Sequence, residues 1–494
     1  MLVEKLNKVE QMLFDAMAMG LVLFYSYSAV LQPAATQYHR GIYVVITYVL
    51  VFLLYRSGGR IGRVWDHLLM LTLVVTLGYW IYNFEAINYR AGAETELDQW
   101  VAMVGVLVGI EVARRVVGNV FVIIGTIMIL YGVYGAYAPE LISHAGDTFP
   151  ALCTSIFYKS DGVFGIMANV LATYIILFVI FGAFLEKSGA QRFFIDFPLA
   201  AVGHKIGGPG KVSVIASGLF GAIANTVSTG AFTIPMMKKA GFRPHVAGGI
   251  KPAASIGGMF MPPIMGAGGF IMAEMTGLPY SQIMLVAIFP ALMYFFSVFM
   301  MVHYEAKKHN IVGEKSAESA SAILRREWFY VLPLVVITIL MLMGYSPGYS
   351  AILGIVTCIA VSWFRKETRI DVRGFVQASR AGAESSLKIG ATVGVIGIII
   401  GVLTYSGLVL TFADIVIELA DGRLRLTILL VALASLVLGM GVPVTAAYLI
   451  TAVVAVPALT HLGVNEIAAH MIVYWLSQDS NITPPVCIAA FCRA

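Results

Sequence analysis

Residues 221–263 read GAIANTVSTGAFTIPMMKKAGFRPHVAGGIKPAASIGGMFMPP. The stretch is apolar, yet it carries Asn225, Ser228, Thr229, Ser255, the pair Gly257-Gly258 and then Pro262-Pro263. An uninterrupted membrane helix has no use for these residues. A broken one that holds an ion does, because unwound backbone at membrane depth is tolerated only where it is buried in protein or lines a cavity. The stretch also has a partner. Pro235 and Pro262 are 27 residues apart, as are Pro457 and Pro484. Shifted by 222 residues and without a gap, Thr229 falls on Thr451, Pro235 on Pro457, Gly241 on Gly463, Ala247 on Ala469, Ser255 on Ser477, and Pro262-Pro263 on Pro484-Pro485. Seven coincidences over so short a span signal an internal repeat.

Composition sets the class. Of the 494 residues, 59% are hydrophobic and 12% charged, against roughly 25% charged in a soluble domain, and the mean hydropathy is +0.86. The apolar runs have the length of helices rather than of barrel strands, so the expected fold is an all-α polytopic membrane protein. The net charge of +5 resides in loops and is no argument for nucleic acid. Cys153, Cys358, Cys487 and Cys492 show no metal spacing and read as small apolar core residues. The N-terminus, MLVEKLNKVEQ, has no cleavage pattern, so the first apolar segment is expected to remain. Gly207-Gly208-Pro209-Gly210 lacks the strand and the following Lys-Ser/Thr of a phosphate loop, and no Ser/His/Asp or Glu/His constellation supports an enzyme.

Candidate spans lie at roughly 11–31, 42–55, 66–84, 99–113, 119–138 and 163–185. Arg56, Arg60 and Arg63 follow the second, Arg114 and Arg115 the fourth, and Lys187, Arg192, Lys205 and Lys211 the sixth. The positive-inside rule then places the N-terminus in the cytoplasm. Up to about residue 140 there is no polar break, which predicts a helical scaffold, and Tyr134, Tyr137 and Tyr158 are expected as interface anchors. Segment 212–236 has Lys211 before it and Lys238, Lys239 and Arg243 after it, so both ends belong inside. A re-entrant hairpin satisfies this: two arms of about twelve residues reach roughly 18 Å each, near the midplane of a roughly 30 Å core. The cluster Asn225 to Gly230 would form its tip.

Segment 246–276 is expected to cross outward, interrupted at Ser255-Ile256-Gly257-Gly258 and again at Pro262-Pro263. A span at 282–302 returns to the polar loop Lys307 to Arg326, which joins the two repeats. Spans at 329–345, 350–364 and 388–409 follow, and a second hairpin is expected at 434–458, opening to the opposite side because the loop LTHLGVNEI after it has no Lys or Arg. The repeat is therefore expected to be inverted. A second broken helix begins near 468 and carries Ser477, Asp479, Ser480, Asn481 and Thr483 ahead of Pro484-Pro485. The domain reading is a scaffold at 1–140, a first repeat at 141–310, a linker at 311–328 and a second repeat at 329–494. An equivalent of 282–302 would begin near 504, beyond Ala494, so the sequence is expected to be truncated, with its last helices missing.

Two inverted hairpins with two broken helices are the arrangement of secondary transporters. Half-helix N-termini suit a carboxylate, while hydroxyl, amide and unwound carbonyl oxygens suit Na⁺; no thiolate or imidazole cluster argues for a transition metal. Two breaks imply two cation sites, one per repeat. The candidates are Asn225, Ser228, Thr229, Ser255, Gly257 and Gly258 in the first repeat and Asp479, Asn481 and Thr483 in the second. Capping of the hairpin arms is the alternative for Asn225, Ser228 and Thr229, against which the polar clusters at the same depth in both repeats count, and for Asn481 and Thr483 capping a half-helix and ligation are not exclusive. Asp479 is a functional candidate as an ionisable group at a helix break, the alternatives being a cation partner or a wet vestibule. Lys251 is a candidate to balance a substrate carboxylate, with snorkelling toward the cytoplasm as the alternative. No cofactor is expected beyond Na⁺ as coupling ion.

The stretches SGLFGAIANTVSTGAFTIPMMKKAGFRP, SIGGMFMPPIMGAGGFIMAE, GMGVPVTAAYLITAVVAVPAL and SNITPPVCIAAF resemble the membrane subunit of tripartite ATP-independent periplasmic (TRAP) transporters, in the form with small and large subunits fused that goes with the TAXI class of binding protein. Residues 1 to about 140 are similar to the small subunit and the rest to the large one. The resemblance implies an elevator mechanism, Na⁺-driven uptake of small organic acids across a bacterial or archaeal cytoplasmic membrane, and delivery by a periplasmic substrate-binding protein. It adds Gly441 and Thr445 to the cation candidates; with Lys251 read from its position alone, the expected substrate contacts are Asn225, Thr229, Lys251, Thr445 and Asn481. Where relatives usually have an acidic residue and a run of alanines, this chain has Lys251-Pro252-Ala253-Ala254, and Met259 stands where Gln often follows Gly-Gly. The competing readings are a stand-alone elevator carrier, against which the fused N-terminal block counts, and a channel-like or non-transporting membrane subunit.

Overall fold

The structure, a computed structural model, describes residues 6–159, 162–220, 230–316, 318–439 and 442–483. In chain order the main helices are α1 (Lys8–Val30), α2 (Thr36–Leu54), α3 (Gly59–Tyr82), α4 (Glu96–Val116), α5 (Asn119–Tyr134), α6 (Phe149–Tyr158), α7 (Ile166–Lys187), α8 (Ala190–Val202), α9 (Gly208–Phe220), α10 (Gly230–Lys239) and α11 (Pro244–Phe260). They continue as α12 (Ala267–Thr276), α13 (Tyr280–Lys308), α14 (Ala320–Glu327), α15 (Leu332–Leu342), α16 (Pro347–Ser362), α17 (Val372–Gly390), α18 (Val393–Tyr405), α19 (Leu408–Leu419), α20 (Leu424–Leu438), α21 (Val444–His461) and α22 (Glu466–Asp479). Among the described residues no strand forms, and eight helical segments are long and apolar enough to cross a membrane. The protein is an all-α polytopic membrane protein.

Local chemistry sets several boundaries. Asn7 and Glu10 form a capping box on α1, and Thr95 and Asp98 form one on α4; each satisfies two backbone donors that a helix start would otherwise orphan. Arg114 and Arg115 close α4 in its last turn, where positive charge suits the helix dipole. Ser346 caps α16 with Pro347 in the first turn. The repeat is visible element by element: α10 ends at Lys239 and α21 at His461, Gly241 and Gly463 both take positive φ (103° and 82°), and α11 and α22 begin at Pro244 and Glu466. Each pair is offset by 222.

Contacts divide the chain into two compact units, Met1–Val179 with Ser379–Ser477, and Ile180–Ala378 with Gln478–Ala494. In the first, α2 packs on α3 and α4, and α18 packs against α4, α5 and α6. Almost all of α18 is buried. Its Gly394 approaches Gly109 so closely that a β-carbon would lie 3.0 Å from the Gly109 Cα, and the Gly394 N–H donates to the Tyr48 hydroxyl at 2.9 Å. Ion pairs cluster at the end of α4: Arg115 meets Asp66 at 2.6 Å and Glu111 at 2.8 Å, with Arg56 on Glu10 at 2.7 Å nearby in sequence to Ser57, which also hydrogen-bonds Arg115 and Asp66. Tyr134 and Tyr137 are exposed as anchors should be, whereas Tyr158 is buried and its hydroxyl donates to the Asp98 carbonyl at 2.8 Å. Tyr158 is therefore a packing residue and not an interface anchor.

In the second unit α9, α10, α11 and α13 pack together around Val214, Met237, Phe242, Ala247, Ala254, Val302, Ala306 and Ile311. The arms α9 and α10 lie side by side, as a hairpin requires; a single rod through both would hold them end to end. In the first unit α20 and α21 also pack on one another, with α20 ending at Leu438 and α21 beginning at Val444. The half of the linker nearest α15 is ordered by α14, whose Glu327 takes Arg326 and Arg365 as partners. The expected 388–409 span is helical from Val393 to Tyr405 and is preceded directly by α17.

Candidate functional site

The first broken helix has one interruption, not two. α11 runs without a break through Ser255-Ile256-Gly257-Gly258 to Phe260. Sequence reads Ser and Gly as helix breakers because their intrinsic propensity is low. Here packing overrides propensity: a β-carbon on Gly257 would stand 2.7 Å from Tyr294 Cε1 and 2.9 Å from Phe295 Cζ. The glycine lets α11 press onto α13. Gly258 is buried beside it.

The true interruption is at Pro262-Pro263, whose peptide is cis. Helix ends at Phe260, Met261 is extended and α12 starts at Ala267. Prolines deprive the preceding turn of donors, and several backbone groups around the break find partners within the protein. The Tyr280 hydroxyl donates to the Pro263 carbonyl at 3.1 Å and accepts from the Met265 N–H at 3.3 Å, and the Gly266 N–H donates to the Met259 carbonyl at 2.8 Å. Tyr280 is buried and stacks on Phe270 with centroids 4.4 Å apart.

One turn before Ser255 on the same helix, Lys251 is fully buried, and its Nζ donates to Ser217 Oγ on α9 at 2.6 Å. It does not snorkel. Ser255 is buried as well, and its hydroxyl has no hydrogen-bond partner among the described residues. The hydroxyl of Ser213, on α9, is in the same condition. Ser213 and Ser217 lie one turn apart on α9, as Lys251 and Ser255 do on α11, and sequence reading missed the first pair. The spacing of four was available as a signal, but lone serines in an apolar run look alike until burial is known.

At the second break α22 ends at Asp479. The Thr483 hydroxyl donates to the Asp479 carbonyl at 2.6 Å, the Ile482 N–H donates to the same carbonyl at 3.2 Å, and the Asn481 N–H donates to the Gln478 carbonyl at 3.1 Å. Thr483 thus caps the helix end. The Asn481 amide donates to Ser480 Oγ at 3.3 Å. Asp479 is half-buried and enters no ion pair among the described residues. Gln478, not singled out from sequence, is fully buried, and neither its amide nitrogen nor its oxygen has a partner among the described residues. Ser477, matched to Ser255 by the repeat, donates to the Tyr474 carbonyl at 2.9 Å.

Within the first unit Thr445 is buried at the second position of α21, after Pro443 at the cap. Further along, the Tyr448 hydroxyl pairs with His470 Nδ1 at 2.9 Å. Asn225, Ser228, Thr229, Gly441, Pro484 and Pro485 lie outside the described residues. Among the described residues no group of three or more His, Cys, Asp or Glu side chains is arranged to hold a metal.

Residues 104–494 match the family model described as tripartite ATP-independent periplasmic transporter, DctM component. The chain belongs to this family. As a DctM-family member it is a TRAP transporter membrane subunit, a permease and not an enzyme. It is similar to a TRAP transporter large permease protein of Haemophilus influenzae, 23% identical over 320 residues, a match covering 63% of this chain and 74% of the relative. The 2,3-diketo-L-gulonate TRAP transporter large permease protein YiaN of Escherichia coli is 26% identical over 168 residues, 32% of this chain and 39% of that protein. The C4-dicarboxylate TRAP transporter large permease protein DctM of Rhodobacter capsulatus is 28% identical over 168 residues, 31% and 37% of the two chains. The last two matches thus span well under half the length of those relatives.

Proposed function

We propose that this chain is the permease of an Na⁺-coupled importer of a small organic carboxylate, loaded by a periplasmic substrate-binding protein and working by an elevator movement of inverted repeats. The observation that carries the reading is the pairing of a Pro-Pro helix break with a buried ammonium and open serine hydroxyls in one compact unit, in a chain of the TRAP family. Ammonium and hydroxyl groups donate to a carboxylate, and hydroxyl, amide and carbonyl oxygens accept a hard monovalent cation. Relatives named for C4-dicarboxylate and diketogulonate transport support the carboxylate class. In this reading Ser255, Gly257 and Gly258 serve the first cation set with Asn225, Ser228 and Thr229. Asp479, Asn481 and Thr483 serve the second, and Gly441 and Thr445 serve the second repeat from their own unit. Lys251, Asn225, Thr229, Asn481 and Thr445 are the substrate contacts. Residues 1–140 act as the small-subunit-like scaffold of the TAXI type. The chain sits in the cytoplasmic membrane of a bacterium or archaeon with its N-terminus inside.

The test is uptake into proteoliposomes that hold this chain, with the purified binding protein supplied outside together with a panel of dicarboxylates, keto acids and acidic sugars. Accumulation should require both an inward Na⁺ gradient and the binding protein. Uptake that persists when K⁺ replaces Na⁺, or when the binding protein is withheld, overturns this form of the reading.

A further inference from the structure

The wedge between α9, α10 and α11 is lined by hydroxyl oxygens, yet it already contains a lysine amine. Lys251 lies on α11 and is 0% exposed. Its stem runs along α10, where a β-carbon on Gly230 would sit 3.4 Å from Lys251 Cγ and 3.6 Å from Cε. Its Nζ reaches Ser217 Oγ on α9 at 2.6 Å. The ammonium is therefore held where the three helices of the first repeat converge. Ser213 lies one turn from Ser217 on α9, and Ser255 one turn from Lys251 on α11, so each helix carries a polar pair at the spacing of one face, and Lys251 and Ser217 join the two. The hydroxyls of Ser213 and Ser255 are buried and lack hydrogen-bond partners among the described residues. Leaving such groups buried and unanswered is costly, which marks the seam as a place shaped for a ligand.

Neutral hydroxyl oxygens are the donor type that suits a hard monovalent cation. A free Na⁺ entering this seam would meet the Lys251 ammonium at close range in a low dielectric, where like charges exclude one another. An ammonium has the charge of Na⁺, and its three N–H groups direct it to the same oxygens. We infer that Lys251 is a tethered cation that stands in the first repeat's cation place, so that this chain takes Na⁺ through its second repeat alone and moves fewer Na⁺ per substrate than two sites would allow. The inference rests on the Na⁺-coupled reading above and revises the occupant of its first cation set; the charge still lies where it balances a bound carboxylate.

The test counts bound ²²Na⁺ at equilibrium on the purified full-length chain in nanodiscs, with choline balancing ionic strength, and follows thermal unfolding against Na⁺ in parallel. Wild type should bind Na⁺ in a manner abolished by Asn481→Ala. Lys251→Ala should double the Na⁺ bound per chain, the added Na⁺ should vanish on combining it with Ser255→Ala, and Lys251→Arg, which keeps the charge, should add none. If Lys251→Ala does not fold, Lys251→Gln, which retains a donor for Ser217 without the charge, is read in its place. A folded neutral variant that binds no more Na⁺ than wild type overturns the tethered cation and leaves the Na⁺-coupled reading intact. Absence of Na⁺ binding in wild type and neutral variant alike overturns both. Absence in wild type with a gain in the variant supports the tethered cation and overturns Na⁺ coupling.

Discussion

Single atoms decide the two positions where glycine and lysine matter most. Gly257 is helical with no unusual φ, so its conformational freedom is not what the site needs; the missing β-carbon is, because Tyr294 and Phe295 fill that space. Gly257→Ala should therefore destabilise the protein by about 1–3 kcal/mol through overpacking. Thermal unfolding in detergent reads the loss, and Tyr294→Leu in the same chain should restore part of it. An alanine variant as stable as wild type would mean that α13 gives way freely. Lys251 illustrates the complementary case. A long cationic side chain near a membrane helix end ordinarily extends to the interface, but here a serine on the neighbouring helix holds it inside.

Between residues and fold, the decisive unit is the segment from α11 through the break to α13. Tyr280→Phe keeps the stack on Phe270 but removes both hydrogen bonds to the unwound segment. It should cost about 1–3 kcal/mol, since buried backbone groups are then left unanswered. Hydrogen exchange should rise at the Met265 amide, which loses its acceptor, and stay unchanged in α9. A rise spread evenly over the unit would count against this local role. The Pro-Pro break was legible from sequence because proline acts through covalent geometry that no neighbour alters. The Ser255–Gly258 interruption was misread because glycine and serine act through weak propensities that a packed neighbour reverses. Gln478 escaped notice because its significance lies in what surrounds it, and a single polar letter beside Asp479 carries no such information.

For the whole molecule, charge and periodicity fixed the class early: helix-length apolar runs punctuated by basic loops describe a polytopic protein before any contact is known. Orientation is testable directly. In a chain freed of its native cysteines, a single cysteine at Lys315 should react with a membrane-impermeant maleimide only after the membrane is opened, and one at Asp147 should react in intact cells. The reverse pattern would invert the assignment. The clasp that Tyr280 places across the Pro262-Pro263 gap has a bearing on the transport cycle as well. Because side chain and main chain already satisfy one another there, no passenger has to organise the kink on arrival. The entropy of shaping it was spent during folding, so a loaded and an unloaded carrier can share the same bent backbone, and whatever affinity a cargo brings remains free to bias the journey across the membrane.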